Sequence, residues 1–173
     1  ASMTDPFPPI FKTLIRDLEA NIHSETSIAI IRSKVLAYGT DLWNMAKGYP
    51  DDGPVHQSRI ALKILLRKHP VLAKDTESLI AMRSMMVEAE DLSRGRSDIQ
   101  FPDDSQMRIL ITGFDPFQGA ESNPSGATVQ LLDGTTLTYN DHGVSKTARL
   151  EGAIFPTKYS YFDDGKVEQL VTP

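Results

Sequence analysis

The spacing of apolar residues changes near residue 107, and this change constrains the fold more than any other feature of the chain. From Pro9 to about Gly95, apolar residues recur every three or four positions, which is the spacing of one face of an α-helix. From Met107 this period is lost, and Ile109–Ile111 form a short continuous apolar run of the kind found in strands covered on both faces. The sequence therefore predicts two parts with different architectures.

The N-terminal part is predicted to be a bundle of amphipathic helices. In the third helix, Ile60 and Ile64 are expected to face inward. That helix should end at His69, because the residue before a proline avoids the helical region of backbone space. The connections between helices are short, which favours antiparallel neighbours in an all-α bundle. The predicted helices cover about residues 9–22, 24–43, 55–68 and 75–92.

The C-terminal part is predicted to begin a parallel α/β layer. A strand at about residues 108–112 leads into the turn GFDPFQG, and a helix follows that is capped by Asn123 or Ser125. Residues 139–143 are a polar stretch with the character of a hairpin or a loop. A second strand is predicted at 146–157 and another helix at 161–171. This order of strand, helix, strand and helix is the first βαβα portion of a layered α/β domain.

These patterns predict an α+β chain in two parts. Residues 1–95 are expected to form the helical bundle domain, and residues 107–173 an incomplete α/β domain. Residues 96–106 lie within a polar, turn-rich stretch and are predicted to be the linker.

The α/β part is too small to form a complete sheet. Two parallel strands cannot cover both of their faces, and sheets typically hold about 5–6 strands. We therefore expect this sequence to be the N-terminal part of a longer, truncated protein; the alternative is that another chain completes the sheet. Because open strand edges recruit partners, a homo-oligomer is expected.

Composition excludes several classes of function. A net charge of −5 argues against non-specific nucleic-acid binding, which requires a basic face. No apolar run approaches the ~20 residues that span a bilayer, and no secretory signal is visible, so a cytoplasmic protein without membrane contact is expected. The 4 histidines are scattered without metal-ligand spacing, so neither a metal nor a cofactor is predicted. Because the chain contains no cysteine, it has no thiol nucleophile of its own.

The turn after the first strand carries a resemblance to a known family. Gly113, Phe114, Asp115, Pro116, Phe117 and Gly119, followed by Asn123-Pro124-Ser125, resemble the N-terminal signature of pyroglutamyl peptidase I, also called pyrrolidone-carboxylate peptidase. In that family a strand leads into GF[DE]PFGG, and NP[ST] begins the first helix. The resemblance covers about residues 107–173 and nothing in the helical part.

This resemblance implies a fold and an activity. The family has a three-layer α/β/α fold and removes N-terminal pyroglutamate from peptides with a catalytic cysteine, histidine and acidic residue. By this likeness Phe114 and Phe117 bind the substrate, because two aromatic rings can sandwich a flat, uncharged lactam. Gly113, Gly119 and Asn123 would support the loop that carries them.

The chain also departs from the family pattern. Without a cysteine, it is predicted to be inactive as a peptidase by itself. Gln118 stands where the family usually has glycine, so a changed turn or a narrower pocket is expected. Two alternatives stay open at this point. The phenylalanines could fill a local core, and the chain could be a non-catalytic interaction or oligomerisation module with a degenerate peptidase-like segment.

Overall fold

A computed structural model describes residues 7–103, 107–117 and 119–171 of the chain. The contacts within it divide the chain into two compact units. The first unit comprises the described residues of Ala1–Met45 together with Gly53–Ser93, and the second combines Ala46–Asp52 with the described residues of Arg94–Pro173. The domain boundaries at 1–95, 96–106 and 107–173 stay a prediction.

The first unit is helical, as the apolar spacing predicted. The observed termini follow local sequence signals: a proline at the start of α1 supplies a preset backbone angle, and the Asp75 carboxylate caps α4 by accepting from the Ser78 N–H at 2.8 Å. The helices are α1 (Pro9–Ile22), α2 (Ile28–Ala46), α3 (Gly53–Lys68) and α4 (Thr76–Leu92).

The buried face of α3 differs from the predicted one. Ile60 and Ile64 were expected inside but are 36% and 47% exposed. Arg59 is buried in their place, and its guanidinium donates to the Ser93 hydroxyl at 2.9 Å and to the Ser93 carbonyl at 3.1 Å. An arginine that is satisfied by hydrogen bonds can be buried. It shares the buried face of α3 with the apolar residues Val55, Leu62 and Leu66.

The second unit contains a mixed sheet with helices, so the α+β arrangement in two parts is confirmed. Its strand order is β1-β3-β2 in the described residues, with β1 parallel and β2 antiparallel to β3. The elements, in chain order, are β1 (Met107–Phe114), α5 (Pro124–Leu132), β2 (Thr136–Asp141), β3 (Val144–Phe155), α6 (Tyr159–Asp163) and α7 (Glu168–Val171).

The structure adds one detail to the predicted βαβα order and corrects another. The polar stretch near residue 140 is the tip of a hairpin, one of the two alternatives predicted for it, and β2 before it is an antiparallel strand that the βαβα order did not include. The single helix predicted at 161–171 is two short helices, α6 and α7. They are separated around Gly165, whose φ of 64° lies in the left-handed region that helices do not use.

The parallel pairing of β1 with β3 determines where a site can form. Phe114 at the end of β1 pairs with Phe155 at the end of β3, so both strands finish at the same edge of the sheet. The helix α5 packs against β1 and β3, and Val129, Leu150 and Ile154 are buried in the core of this unit. Ligand sites in open α/β sheets lie at this carboxyl edge.

Candidate functional site

A pocket of about 480 Å³ opens at the carboxyl ends of β1 and β3. It is largely aromatic, with a few polar groups at its margin, which is the usual character of a site for a small organic ligand. Its lining residues are Phe114, Phe117, Asn123, Thr157, Lys158, Tyr159 and Phe162.

The structure brings Phe114 and Phe117 into this one pocket, but in different settings. Phe114 is half-buried, and its ring centroid lies 6.5 Å from that of Phe155 and 6.0 Å from that of Phe162. These are ordinary distances for tilted aromatic pairs. Phe117 is 51% exposed, so its ring is not filling a local core. One ring is thus packed from behind, and the other projects from the turn.

The backbone of Asp115 ties the turn to its surroundings. Its N–H donates to the Phe155 carbonyl at 2.9 Å, which extends the pairing of β1 with β3 by one residue. Its carbonyl accepts from the Asn123 side-chain amide at 3.2 Å and from the Thr157 hydroxyl at 2.9 Å. The turn is therefore held at the start of α5 and at the end of β3 simultaneously.

Asn123 caps α5, which decides between the two caps that the sequence offered, Asn123 and Ser125. Its side-chain oxygen accepts from the Ser125 N–H at 3.0 Å and from the Ser125 hydroxyl at 2.9 Å. The Ser125 hydroxyl oxygen in turn accepts from the Phe114 N–H at 3.0 Å. The NPS segment therefore both starts the helix and fixes the backbone of the first pocket phenylalanine.

The two glycines of the turn have different surroundings. A side chain at Gly113 would place its Cβ 2.5 Å from the Ser125 carbonyl oxygen, so glycine permits the close approach of α5 to β1. Gly119 has a φ of 80°, which side-chain-bearing residues rarely adopt. The expectation about Gln118 concerns a position outside the described residues.

The second half of the pocket was not predicted from the sequence. Thr157 and Lys158 lie in the short connection between β3 and α6, and Tyr159 and Phe162 lie one turn apart in α6. One signal could have found them. The carboxyl ends of adjacent parallel strands share one edge of a sheet, so the residues after β3 belong beside those after β1.

A buried ion pair lies at the base of the turn. The Arg94 guanidinium donates to the Asp115 carboxylate from Nε at 3.1 Å and from Nη2 at 2.7 Å, and both side chains are buried. Nearby, the Arg96 guanidinium carbon lies 5.7 Å from the ring centroid of Phe155 and 5.4 Å from that of Tyr161. Both arginines precede β1, in the stretch SRGRSD, which carried no site prediction.

Within residues 7–103, 107–117 and 119–171, no group of three or more histidine or acidic side chains could hold a metal ion. The same residues include no helix with the length and apolar character needed to span a bilayer.

Comparison with curated proteins gave no match, and comparison with solved structures gave none. Comparison with protein families gave a match that begins at the first residue of β1 and ends at the first residue of α6. It includes both pocket phenylalanines, the Asn123 cap and Thr157. Residues 107–159 match the family of pyroglutamyl peptidase, and the resemblance predicted from the GFDPF turn is confirmed for this segment.

Proposed function

We propose that the α/β part binds the N-terminal pyroglutamyl residue of peptides, as the substrate pocket of a pyroglutamyl-peptidase-like cysteine peptidase. The observation that carries the proposal is the pocket itself. Phe114 and Phe117 line one cavity at the carboxyl edge of a sheet, inside the segment that matches this family.

The chemistry of the pocket suits a lactam. The pyroglutamyl ring is flat and uncharged, so aromatic faces can cover it without the cost of removing a charge from water. Its carbonyl accepts hydrogen bonds, and the Lys158 ammonium and the Asn123 amide at the pocket margin are donors. A prolyl ring has the same size but carries a charged secondary amine and no ring carbonyl, so this pocket favours the lactam.

The family reaction is an acyl transfer in which a thiolate attacks the pyroglutamyl carbonyl and a histidine passes a proton to the leaving amine. Because these 173 residues contain no cysteine, a protein that performs this reaction has its nucleophile outside them. The part assigned to this chain is to bind and orient the ring. A cysteine on a strand-to-helix turn, with a histidine after it, in the sequence encoded after Pro173 would support the catalytic part of the proposal.

Binding tests the proposal directly. Isothermal titration of the protein with L-pyroglutamyl-L-alanine is expected to give saturable binding, and L-prolyl-L-alanine at the same concentrations is expected to give none. Equal binding of the two dipeptides, or none by either, would contradict a lactam pocket.

Substitution of the two phenylalanines gives a second, residue-specific test. Phe114→Ala and Phe117→Ala should each weaken binding of pyroglutamyl-alanine about tenfold, because an aromatic contact contributes about 0.5–1.5 kcal/mol beyond its buried area. Phe101→Ala is the matched control, since that ring lies in the same unit but outside the pocket lining. In a protein that contains the nucleophile, the loss should affect KM for a pyroglutamyl-naphthylamide more than kcat. An unchanged affinity of both pocket variants for pyroglutamyl-alanine would contradict the assignment of Phe114 and Phe117 to the binding site.

A second function is favoured by one observation on the helical unit. Several large apolar side chains of its helices are exposed, and those that adjoin one another would form a surface suited to contact with another protein. We propose, as the alternative, a non-catalytic interaction or oligomerisation module with a degenerate peptidase-like segment. Failure to distinguish the pyroglutamyl from the prolyl dipeptide would favour it. The most exposed of these side chains are Ile10, Ile30, Ile64, Ile80 and Val87.

A further inference from the structure

We infer that Arg94 and Asp52, which both lie outside the segment that matches the family, are positioning residues for the pocket. The inference rests on the proposed function, because it assigns these residues to the pocket that would hold the lactam. In the sequence, residues 46–52 connect α2 to α3, and Arg94 follows α4. Both nevertheless belong to the same compact unit as the pocket.

Arg94 acts on the turn through Asp115. Its guanidinium makes two hydrogen bonds to one carboxylate oxygen, and both side chains are almost fully buried. The Arg94 carbonyl also accepts from the Ile154 N–H at 2.9 Å, which attaches the arginine backbone to β3. Arg94 therefore links the strand on one side of the pocket to the turn on the other.

The position of Asp115 makes this link relevant to binding. Asp115 directly follows Phe114, and its own carbonyl receives the hydrogen bonds from Asn123 and Thr157, two residues of the pocket lining. A buried carboxylate that loses its guanidinium partner is strongly disfavoured and must move or take up a proton. Loss of the guanidinium is therefore expected to weaken the hold on the Asp115 backbone, to which three lining residues are attached.

Asp52 acts on the same network from the opposite side. Its Oδ1 accepts from the Asn123 N–H at 2.7 Å, and the Asp52 side chain is buried. Asn123 is the residue that caps α5 and donates to the Asp115 carbonyl. Asp52 and Arg94 therefore hold the two ends of one hydrogen-bonded chain, Asp52 to Asn123 to Asp115 to Arg94.

The chain offers a matched control for the ion pair. Arg149 donates from Nε to the carboxylate of Glu151 at 2.6 Å, and the Glu151 side chain is 3% exposed. This pair lies on β3 in the same unit, and neither member lines the pocket. Arg149→Met thus removes a comparable arginine–carboxylate pair without removing a contact to the turn, and it reports the effect of general destabilisation.

The experiment compares Arg94→Met with Arg149→Met in the full chain, at a temperature at which both are folded by circular dichroism. Two quantities are measured: the dissociation constant for L-pyroglutamyl-L-alanine, and the hydrogen-exchange rates of the Phe114 and Asp115 amides. Arg94→Met is expected to weaken binding at least about tenfold and to accelerate both amides. Arg149→Met should lower the melting temperature with neither effect.

Asp52 supplies a second pair of variants, in case Arg94→Met does not fold. Asp52→Ala removes the acceptor for the Asn123 N–H, whereas Asp52→Asn keeps a side-chain oxygen at that position. Asp52→Ala should weaken binding and accelerate exchange of the Phe114 amide, and Asp52→Asn should restore most of both. Equal behaviour of the Ala and Asn variants would overturn the role of Asp52.

The two readouts separate this inference from the proposed function. If the unmodified protein does not bind pyroglutamyl-alanine, the proposed function fails, and the exchange rates alone decide whether Arg94 and Asp52 position the turn. If the unmodified protein binds the dipeptide and Arg94→Met behaves as Arg149→Met does in both readouts, the pocket stands and the positioning role of Arg94 is overturned.

Discussion

At the scale of single residues, Asp133 shows how one hydrogen bond and burial act in opposite directions. Its side chain is 2% exposed at the end of α5, and its Oδ1 accepts from the Gly152 N–H at 2.7 Å. Burial raises the pKa of this carboxyl above its ordinary value of 3.8, and the hydrogen bond from Gly152 lowers that pKa by less. The neighbouring Glu151 adds a smaller upward shift of the pKa, and Lys47 a downward one.

The raised pKa of Asp133 gives a pH-dependent prediction. In the unfolded chain this carboxyl loses its proton near pH 3.8, whereas in the folded state it keeps the proton to a higher pH. The folded state therefore binds more protons between the two values, and the contribution of Asp133 to stability falls as the pH rises through that interval. The free energy of unfolding of Asp133→Asn minus that of the unmodified protein should therefore increase as the pH rises through this interval and stay constant above it.

Urea unfolding of both proteins between pH 3.5 and neutral pH measures this difference, because subtraction removes the contributions of the other carboxyl groups. Asp91→Asn is the matched control, since it removes one carboxylate from α4 in the other unit. A stability difference between Asp133→Asn and the unmodified protein that is constant with pH would contradict the prediction.

The residues of the candidate site divide into those that a sequence can indicate and those that it cannot. Asn123 could be predicted as a cap because Asn-Pro-Ser is a local helix-start pattern. Phe114 and Phe117 could be selected because aromatic residues on a turn are unusual. Asp52 and Arg94 could not, because they bind partners that are 71 and 21 residues away in the sequence. No local periodicity records such a pairing.

At the scale of elements, the turn of the β2–β3 hairpin and the strand β3 were indicated by the sequence, whereas the strand β2 was not predicted. The strand β2, TLTYND, is largely exposed, and its alternation of Leu137 and Tyr139 with threonine is too short to mark a strand with a buried face. Pairing with β3 and the turn between the two strands hold β2 in a strand conformation that its own residue preferences do not predict. At the turn, His142 and Gly143 both have positive φ, 51° and 87°, which is the backbone of a two-residue type I′ hairpin.

This turn predicts a stabilising substitution. Asn-Gly is the preferred pair for a type I′ turn, and histidine is less suited to the left-handed region. His142→Asn should therefore stabilise the protein by roughly 0.5 kcal/mol, a part of the 1–3 kcal/mol that this region costs a residue with a side chain. His23→Asn is the matched control, because His23 is also exposed but has an ordinary φ of −49°. Urea unfolding measures both, and an equal effect of the two substitutions would contradict the assignment to turn strain.

The helical elements were predicted more completely than the sheet. Each helix of the first unit was located from its apolar period, because that period is local. The start of α2 was less accurate, since this helix begins at Ile28 and its predicted start was residue 24. The predicted inward face of α3 was wrong because Arg59 lies on the buried face of this helix. An apolar period does not include a charged residue, although Arg59 has the helical spacing of the core. The division of the last predicted helix depends on the backbone of Gly165, which a moderately helical sequence does not reveal.

At the scale of the whole molecule, the sheet of the second unit has two edges of different character. In the described residues, β1 and β2 are the edge strands, and β3 lies between them. The side chains Ile109, Leu110 and Ile111 of β1 are only partly buried, whereas β2 is mainly polar. An apolar edge strand with unpaired backbone groups is a template for pairing with another chain, and a polar one is less so.

We therefore expect the 173-residue chain to self-associate through β1. Thr112 on β1 and Thr138 on β2 are both exposed, so they offer a matched pair of positions for a lysine, which discourages pairing at a strand edge. Light scattering after size-exclusion chromatography should show a dimer or larger species for the unmodified chain and for Thr138→Lys. Thr112→Lys should shift the species toward monomer at the same concentration. A monomer for the unmodified chain at every concentration would contradict self-association, and equal masses for the two lysine variants would show that β1 is not the contact.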